Sequence, residues 1–155
     1  MKKTINFLFG GLILSLMFTA LPVRATVLIT DLHIDTPTLS RGYTVKSNDQ
    51  NFLFGIRPEV LAVETRVVIK QFEKSEFVYP EGWEPISDVY EFDIFNKAAF
   101  QDEKPLQIQI QTTEETRQKK QIFFWNGVIN EWVELPSWTH DEDTMRSIIH
   151  LPYAK

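Results

Sequence analysis

The chain has 155 residues, 43% of them hydrophobic and 24% charged, which is enough for one domain with its own core and too apolar for a disordered polyelectrolyte. It contains no cysteine, which excludes disulfides, thiolate metal sites, a cysteine nucleophile and a lipidated cysteine anchor. The net charge of −5 argues against a nucleic-acid-binding face.

Residues 1–25 read as a secretory signal peptide. Lys2 and Lys3 form a short positive start, Ile5 to Leu21 is apolar and uncharged, and Val23-Arg24-Ala25 places small residues where a signal peptidase cuts. The competing reading is an uncleaved anchor. A spanning helix needs about 20 apolar residues, and the uninterrupted stretch falls short of that. Loss of the leader removes Lys2, Lys3 and Arg24, leaving 13 of the 16 basic residues against 21 acidic ones and a net charge of −8. Such a surface repels anionic lipid and nucleic acid. Localisation is therefore expected to be periplasmic or extracellular, with membrane contact only through an uncleaved leader.

Residues 26–47 carry mixed signals. Val27, Leu28 and Ile29 can start a strand, whereas Thr36-Pro37-Thr38 and Arg41-Gly42 read as turn or linker. From Gln50 onward the period-two signal is firmer. Phe52, Phe54 and Ile56 alternate with Leu53, Gly55 and Arg57. Val63, Thr65, Val67 and Ile69 share a face opposite Glu64, Arg66 and Lys70, in a run rich in β-branched residues. Tyr79-Pro80-Glu81-Gly82-Trp83-Glu84-Pro85 is a loop. Tyr90, Phe92 and Ile94 then alternate with Glu91 and Asp93, and Leu106, Ile108 and Ile110 with glutamines, the clearest half-buried strand in the chain. Asn96 to Phe100 and Thr113 to Gln118 hold at most a turn of helix each. Gln121 to Trp125 and Trp132 to Leu135 flank Asn126-Gly127, and Met145 to His150 is the last apolar run. A two-residue turn at Asn126-Gly127 would pair Trp125 with Val128, and a longer loop would pair Trp125 with Trp132. The longer loop is favoured, because it sets two indoles across from each other. Short strands with turn signals between them predict an all-β antiparallel sandwich, immunoglobulin-like or related, over residues 48–155.

The order of motifs from Ser87 to Tyr153 carries a resemblance. It runs Ser87-Asp88-Val89-Tyr90-Glu91-Phe92-Asp93, Lys104-Pro105-Leu106-Gln107-Ile108, Phe124-Trp125-Asn126-Gly127, Glu131-Trp132-Val133-Glu134-Leu135-Pro136-Ser137 and His150-Leu151-Pro152-Tyr153. This is similar to the β-sandwich domain shared by ankyrins, netrin receptors and zonula occludens proteins. In bacterial exported proteins it resembles the domain that precedes the double-psi barrel of rare-lipoprotein-A-like cell-wall proteins. The resemblance implies a binding or spacer domain, with the wall-directed chemistry carried by a barrel that this sequence lacks. Some relatives cleave themselves at a His-Phe-Ser near the last strand. Here His150 is followed by Leu151-Pro152, so that chemistry is not expected. The resemblance also implies that the sandwich lacks its closing segment at Lys155.

Candidate sites are few. Asp31, His33 and Asp35 alternate on one strand face, about 7 Å apart, too far for one metal unless the strand bends. His140-Asp141-Glu142-Asp143 has oxygen ligands but not the glycine or spacing of a defined calcium loop. Glu131 and Glu134 flank Trp132 without a second element to make a glycosidase pair. Ser137 has no nucleophile elbow. Trp125 and Trp132 are expected in the core. Trp83 and Trp138, placed in loops beside Pro85 and Pro136, are the candidate ligand-binding residues. No catalytic residue, metal site or cofactor is predicted. The expected function is a non-catalytic exported β-sandwich module of the bacterial envelope, with cell-wall glycan or another envelope protein as partner. The alternatives are the accessory part of a peptidoglycan-remodelling protein and a carbohydrate-binding module using the two loop tryptophans.

Overall fold

The computed structural model describes residues 27–61, 63–96, 105–112 and 118–149. Among these residues the chain runs β1 (Leu28–Ile34), α1 (Thr36–Arg41), β2 (Tyr43–Lys46), β3 (Phe52–Ile56), β4 (Thr65–Phe72), a 3-10 turn at Lys74–Glu76, β5 (Val89–Ile94), β6 (Leu106–Gln111), β7 (Ile122–Asn126), β8 (Glu131–Leu135), β9 (Ser137–Asp141) and β10 (Thr144–Ile149). The fold is all-β and every strand pair is antiparallel. One sheet has the order β1-β4-β5, a second β2-β3-β6-β10-β9, and β7-β8 is a separate hairpin. Residues 1–25, read as a signal peptide, and the tail at 151–155 lie outside the described residues, as do most of the two segments read as turns of helix.

Alternation sets the faces. On β3, Phe52, Phe54 and Ile56 are buried while Leu53 and Gly55 are half-buried. On β4, Thr65, Val67 and Ile69 are buried against an exposed Arg66. Val63 was expected on the same inner face, but the strand begins at Thr65 and Val63 is 43% exposed. On β6, Leu106 and Ile108 are buried, and Ile110 packs against the same core. Buried residues of both larger sheets join one cluster, and rings of β3 and β5 meet within it. Phe52 lies 5.0 Å from Tyr90 and 5.8 Å from Phe92, and Phe54 lies 5.0 Å from Phe92.

The 26–47 segment is woven into these sheets rather than trailing from them. β1 pairs along its length with β4, from Leu28 opposite Gln71 to Ile34 opposite Thr65, and β2 pairs with β3. Thr36-Pro37-Thr38 and Arg41, expected as turn or linker, belong to a short helix, Thr36–Arg41. The Asp35 carboxylate caps it by accepting from the Thr38 N–H at 2.9 Å, Pro37 fits its first turn, and Leu39 is fully buried. Gly42 ends it with φ +81°. A Cβ there would sit 2.8 Å from Pro58 Cδ, so both backbone angle and space require glycine.

The hairpin takes the longer loop. Trp125 stands opposite Trp132, and Asn126 opposite Glu131, leaving 127–130 as the turn. A two-residue turn would need positive φ at Asn126 and Gly127. Neither has it, whereas Asn130 does at φ 53°. The Asn126 side chain accepts from the Val128 N–H at 3.0 Å and stabilises the start of the turn.

Candidate binding cavity

The hairpin is what opens a cavity. β7 and β8 pair only with each other, so they extend neither large sheet. Their base is fixed. Ile122 is buried, its N–H donates to Ser137 Oγ at 3.2 Å, the Gln121 amide donates to the Leu135 carbonyl, and Leu135 packs on the core. Beyond that base the hairpin leans on the 77–85 loop. Trp132 makes this contact: its indole N–H donates to the Val78 carbonyl at 2.7 Å, and its ring stacks on Tyr79 at 5.6 Å. It also meets Phe77 and Trp125 edge-on at 6.1 and 5.6 Å. Phe77 in turn meets Phe72 edge-on.

Between this aromatic brace and the sheets lies a cavity of about 1080 Å³. Its inner wall is the apolar face of β3, β6 and β10, with Phe52, Ile108, Ile110, Met145 and Ile149. Tyr90 and Phe92 of β5 and Phe123, Phe124 and Trp125 of β7 form other parts of the lining. Trp83 enters from the loop, its ring edge-on to Phe123 at 4.9 Å. The sheet side of the wall is apolar apart from the Tyr90 hydroxyl, so that part of the space favours an apolar occupant.

Charged groups in the lining fall into two sets. The acids are Glu84, Asp88 and Glu91. Glu91 is paired with Lys70 at 2.6 Å, and Asp88 accepts from the Gln71 amide at 2.8 Å and the Lys74 N–H at 3.3 Å. The bases are Lys119 and Lys120. Lys119 lies 3.5 Å from Glu134 and 5.9 Å above the Trp83 ring. Lys120 donates to Thr112 Oγ1 at 3.3 Å and to the Glu142 carbonyl. Tyr79 and Tyr90 stay neutral. Burial, then the Asp88 charge, raises the Tyr79 hydroxyl above its ordinary range. Tyr90 is raised further, by burial and by its hydrogen bond to Asp49 at 2.6 Å.

The two candidate tryptophans part company here. Trp83 is half-buried in the cavity. Trp138 lies on β9 rather than in a loop, 44% exposed. It stands opposite Arg146, which is opposite Gln109, so it shares the sheet face turned away from Ile108, Ile110 and Met145. The structure does not bring the pair together. Trp125 and Trp132, expected in the core, are instead 51% exposed and half-buried, and both line the cavity, because the hairpin stands off the sheets.

The other candidate groups have local partners. Asp31 binds Arg66 through two hydrogen bonds at 2.8 and 2.6 Å, His33 lies 3.1 Å from Glu64, and Asp35 caps α1. Arg66 accordingly holds the Asp31 carboxyl below its usual range. Asp141 accepts from the Asp143 N–H at 3.2 Å within the β9–β10 turn. Among the described residues no group of three His, Asp or Glu side chains could hold a metal ion. Glu131 and Glu134 are three apart on β8 and point to opposite faces. Sequence reasoning passed over Tyr79, Tyr90, Lys119 and Lys120. The available signal was the Lys119-Lys120 pair directly before an apolar aromatic strand.

Comparison with known proteins finds no matching family model and no matching curated protein.

Proposed function

We propose that this chain is a non-catalytic, exported β-sandwich module that binds an apolar ligand, or the apolar part of one, in the cavity beneath the β7–β8 hairpin. The single observation that carries this reading is the aromatic-walled cavity of about 1080 Å³ bordered by the inner faces of both larger sheets. A stable core closes such a space to native packing density, and an open one of this size matches the upper range of ligand sites. The sandwich reading is supported by the ring contacts between β3 and β5. Export is supported by the charged-apolar-small pattern of residues 1–25. A relation to rare-lipoprotein-A-like domains, and with it a bacterial envelope location, is supported by the motif order from Ser87 to Tyr153. A glycan platform made by Trp83 and Trp138 together loses its geometric basis, since they face different sides of the second sheet.

The test uses the whole chain and N-phenyl-1-naphthylamine, a neutral apolar fluorophore. Saturable binding at one site is expected, weakened by Ile110→Trp, whose larger ring intrudes on the apolar wall. Absence of saturable binding to folded protein would overturn the reading. Intact-mass analysis of the secreted protein tests export, with Thr26 as the expected new N-terminus and retention of residues 1–25 as the contrary result.

A further inference from the structure

The cavity has an uneven charge pattern, and this points to the kind of apolar ligand it takes. We infer that the ligand is an amphiphile with an apolar body and a single anionic head, such as a long-chain carboxylate, and that the head sits on the Lys120 ammonium. This rests on the binding reading above and adds the chemistry of the head group to it.

Lys120 is half-buried and lines the cavity. Its two hydrogen-bond acceptors, Thr112 Oγ1 and the Glu142 carbonyl, are both uncharged. Among the described residues no carboxylate lies within ion-pair distance of it. An ammonium has three donors, and these acceptors take two. A cation drawn partly out of water without a counter-charge is costly, and an anion that takes the third donor removes that cost. Of the other charges along the wall, Lys119 has Glu134 and the Trp83 ring, Glu91 has Lys70, Asp88 accepts from the Gln71 amide and the Lys74 backbone N–H, and Glu84 is exposed to water.

The remaining walls define the body. Next to Lys120 the lining continues into Ile122, Met145, Ile110 and Ile108, which offer a ligand no hydrogen bond. A sugar would leave its hydroxyls unpaired there, whereas an alkyl chain would lose only contact with water. The carboxylates Glu84, Asp88 and Glu91 on the same cavity repel a polyanion, so the head carries one negative charge rather than several.

The experiment compares dodecanoate, dodecanol and dodecyltrimethylammonium, each below its micelle concentration, by quenching of the intrinsic tryptophan fluorescence. Dodecanoate is expected to bind about tenfold or more tighter than dodecanol, the increment of one charge-assisted hydrogen bond. Lys120→Gln should reduce dodecanoate affinity by a similar factor and leave dodecanol unchanged. Lys120→Arg should restore most of the loss, and Lys46→Gln, on exposed β2, should change neither. Equal affinity for the three compounds would overturn the anionic head while leaving the apolar cavity standing. Tightest binding of the ammonium compound would overturn it in favour of the acidic side of the wall. Failure of all three to bind, with N-phenyl-1-naphthylamine also silent, would remove the binding reading itself.

Discussion

Leu106 and Ile108 are neighbours on the inner face of β6, and truncating each to alanine should have unequal effects. Leu106 is 0% exposed and Ile108 is 4% exposed, so burial alone would rank them together. Their surroundings differ. Ile108 borders the cavity, whereas Leu106 is packed in the closed part of the core. Ile108→Ala removes three carbons' worth of apolar surface, about 2 kcal/mol at roughly 0.8 kcal/mol per methylene. No new isolated void forms, because the vacated space merges with one that is already open. Leu106→Ala leaves a sealed hole and should cost about 3–5 kcal/mol. Gln109→Ala, on the opposite face, loses the 2.9 Å hydrogen bond from Arg146 and should cost about 1 kcal/mol or less. Urea unfolding of the three variants, at unchanged m-value, measures all of these. If Ile108→Ala cost as much as Leu106→Ala, the space beside Ile108 would be filled in solution and the cavity argument would fail. If Gln109→Ala matched either, the register of β6 would be wrong by one residue.

Three further outcomes are expected. Burial would raise the Asp49 carboxyl, but hydrogen bonds from Ser47, Tyr90 and Asn51 hold it below its ordinary value. Its contribution is therefore complete above about pH 4 and is lost as pH falls through the folded value. The raised Tyr90 hydroxyl works the other way, its contribution complete below about pH 10 and lost as pH rises through the folded value. Tyr90→Phe should cost about 1–2 kcal/mol at neutral pH and flatten both limbs of the stability–pH curve; an unchanged curve would refute the coupling. Trp132→Phe keeps the ring contacts but loses the bond to the Val78 carbonyl. It should cost about 1 kcal/mol and speed proteolysis at 127–130, whereas wild-type cleavage rates would show that the indole N–H does not hold the hairpin. Calcium, zinc and EDTA should each leave the melting temperature unchanged. A tight site at a hundredfold excess of metal over its dissociation constant would add about 2.7 kcal/mol, and Asp141, Asp143 and His33 would then be replaced first.

Within the strands, the period-two pattern by itself determined most of the side chains that face inward. Phe52, Phe54, Ile56, Val67, Ile69, Ile94, Leu106 and Ile108 are buried where the alternation put them. That signal is legible because it is local: a strand's side chains change face at every residue, whatever the strand pairs with. The Trp125–Trp132 pairing was readable for a similar reason, since a hairpin's register follows from its own turn. Partner choice was not readable. β6 lies between β3 and β10, separated from them by tens of residues in sequence, and nothing in 106–111 names either neighbour. The same holds for the first segment, where Thr36-Pro37-Thr38 reads as a turn until Leu39 finds a buried seat that stabilises a helix. The site was the least legible part. Trp125 and Trp132 look like core residues in any list of large apolar side chains, and they line an open space only because β7 and β8 join neither large sheet. Lys120 reads as an ordinary surface lysine until the fold sets it beside Thr112 and the Glu142 carbonyl at the edge of that space. Alternation states which way a residue points, whereas a cavity is the volume left between layers after all of them have packed. That volume depends on every long-range contact at once, so only the tertiary structure decides it.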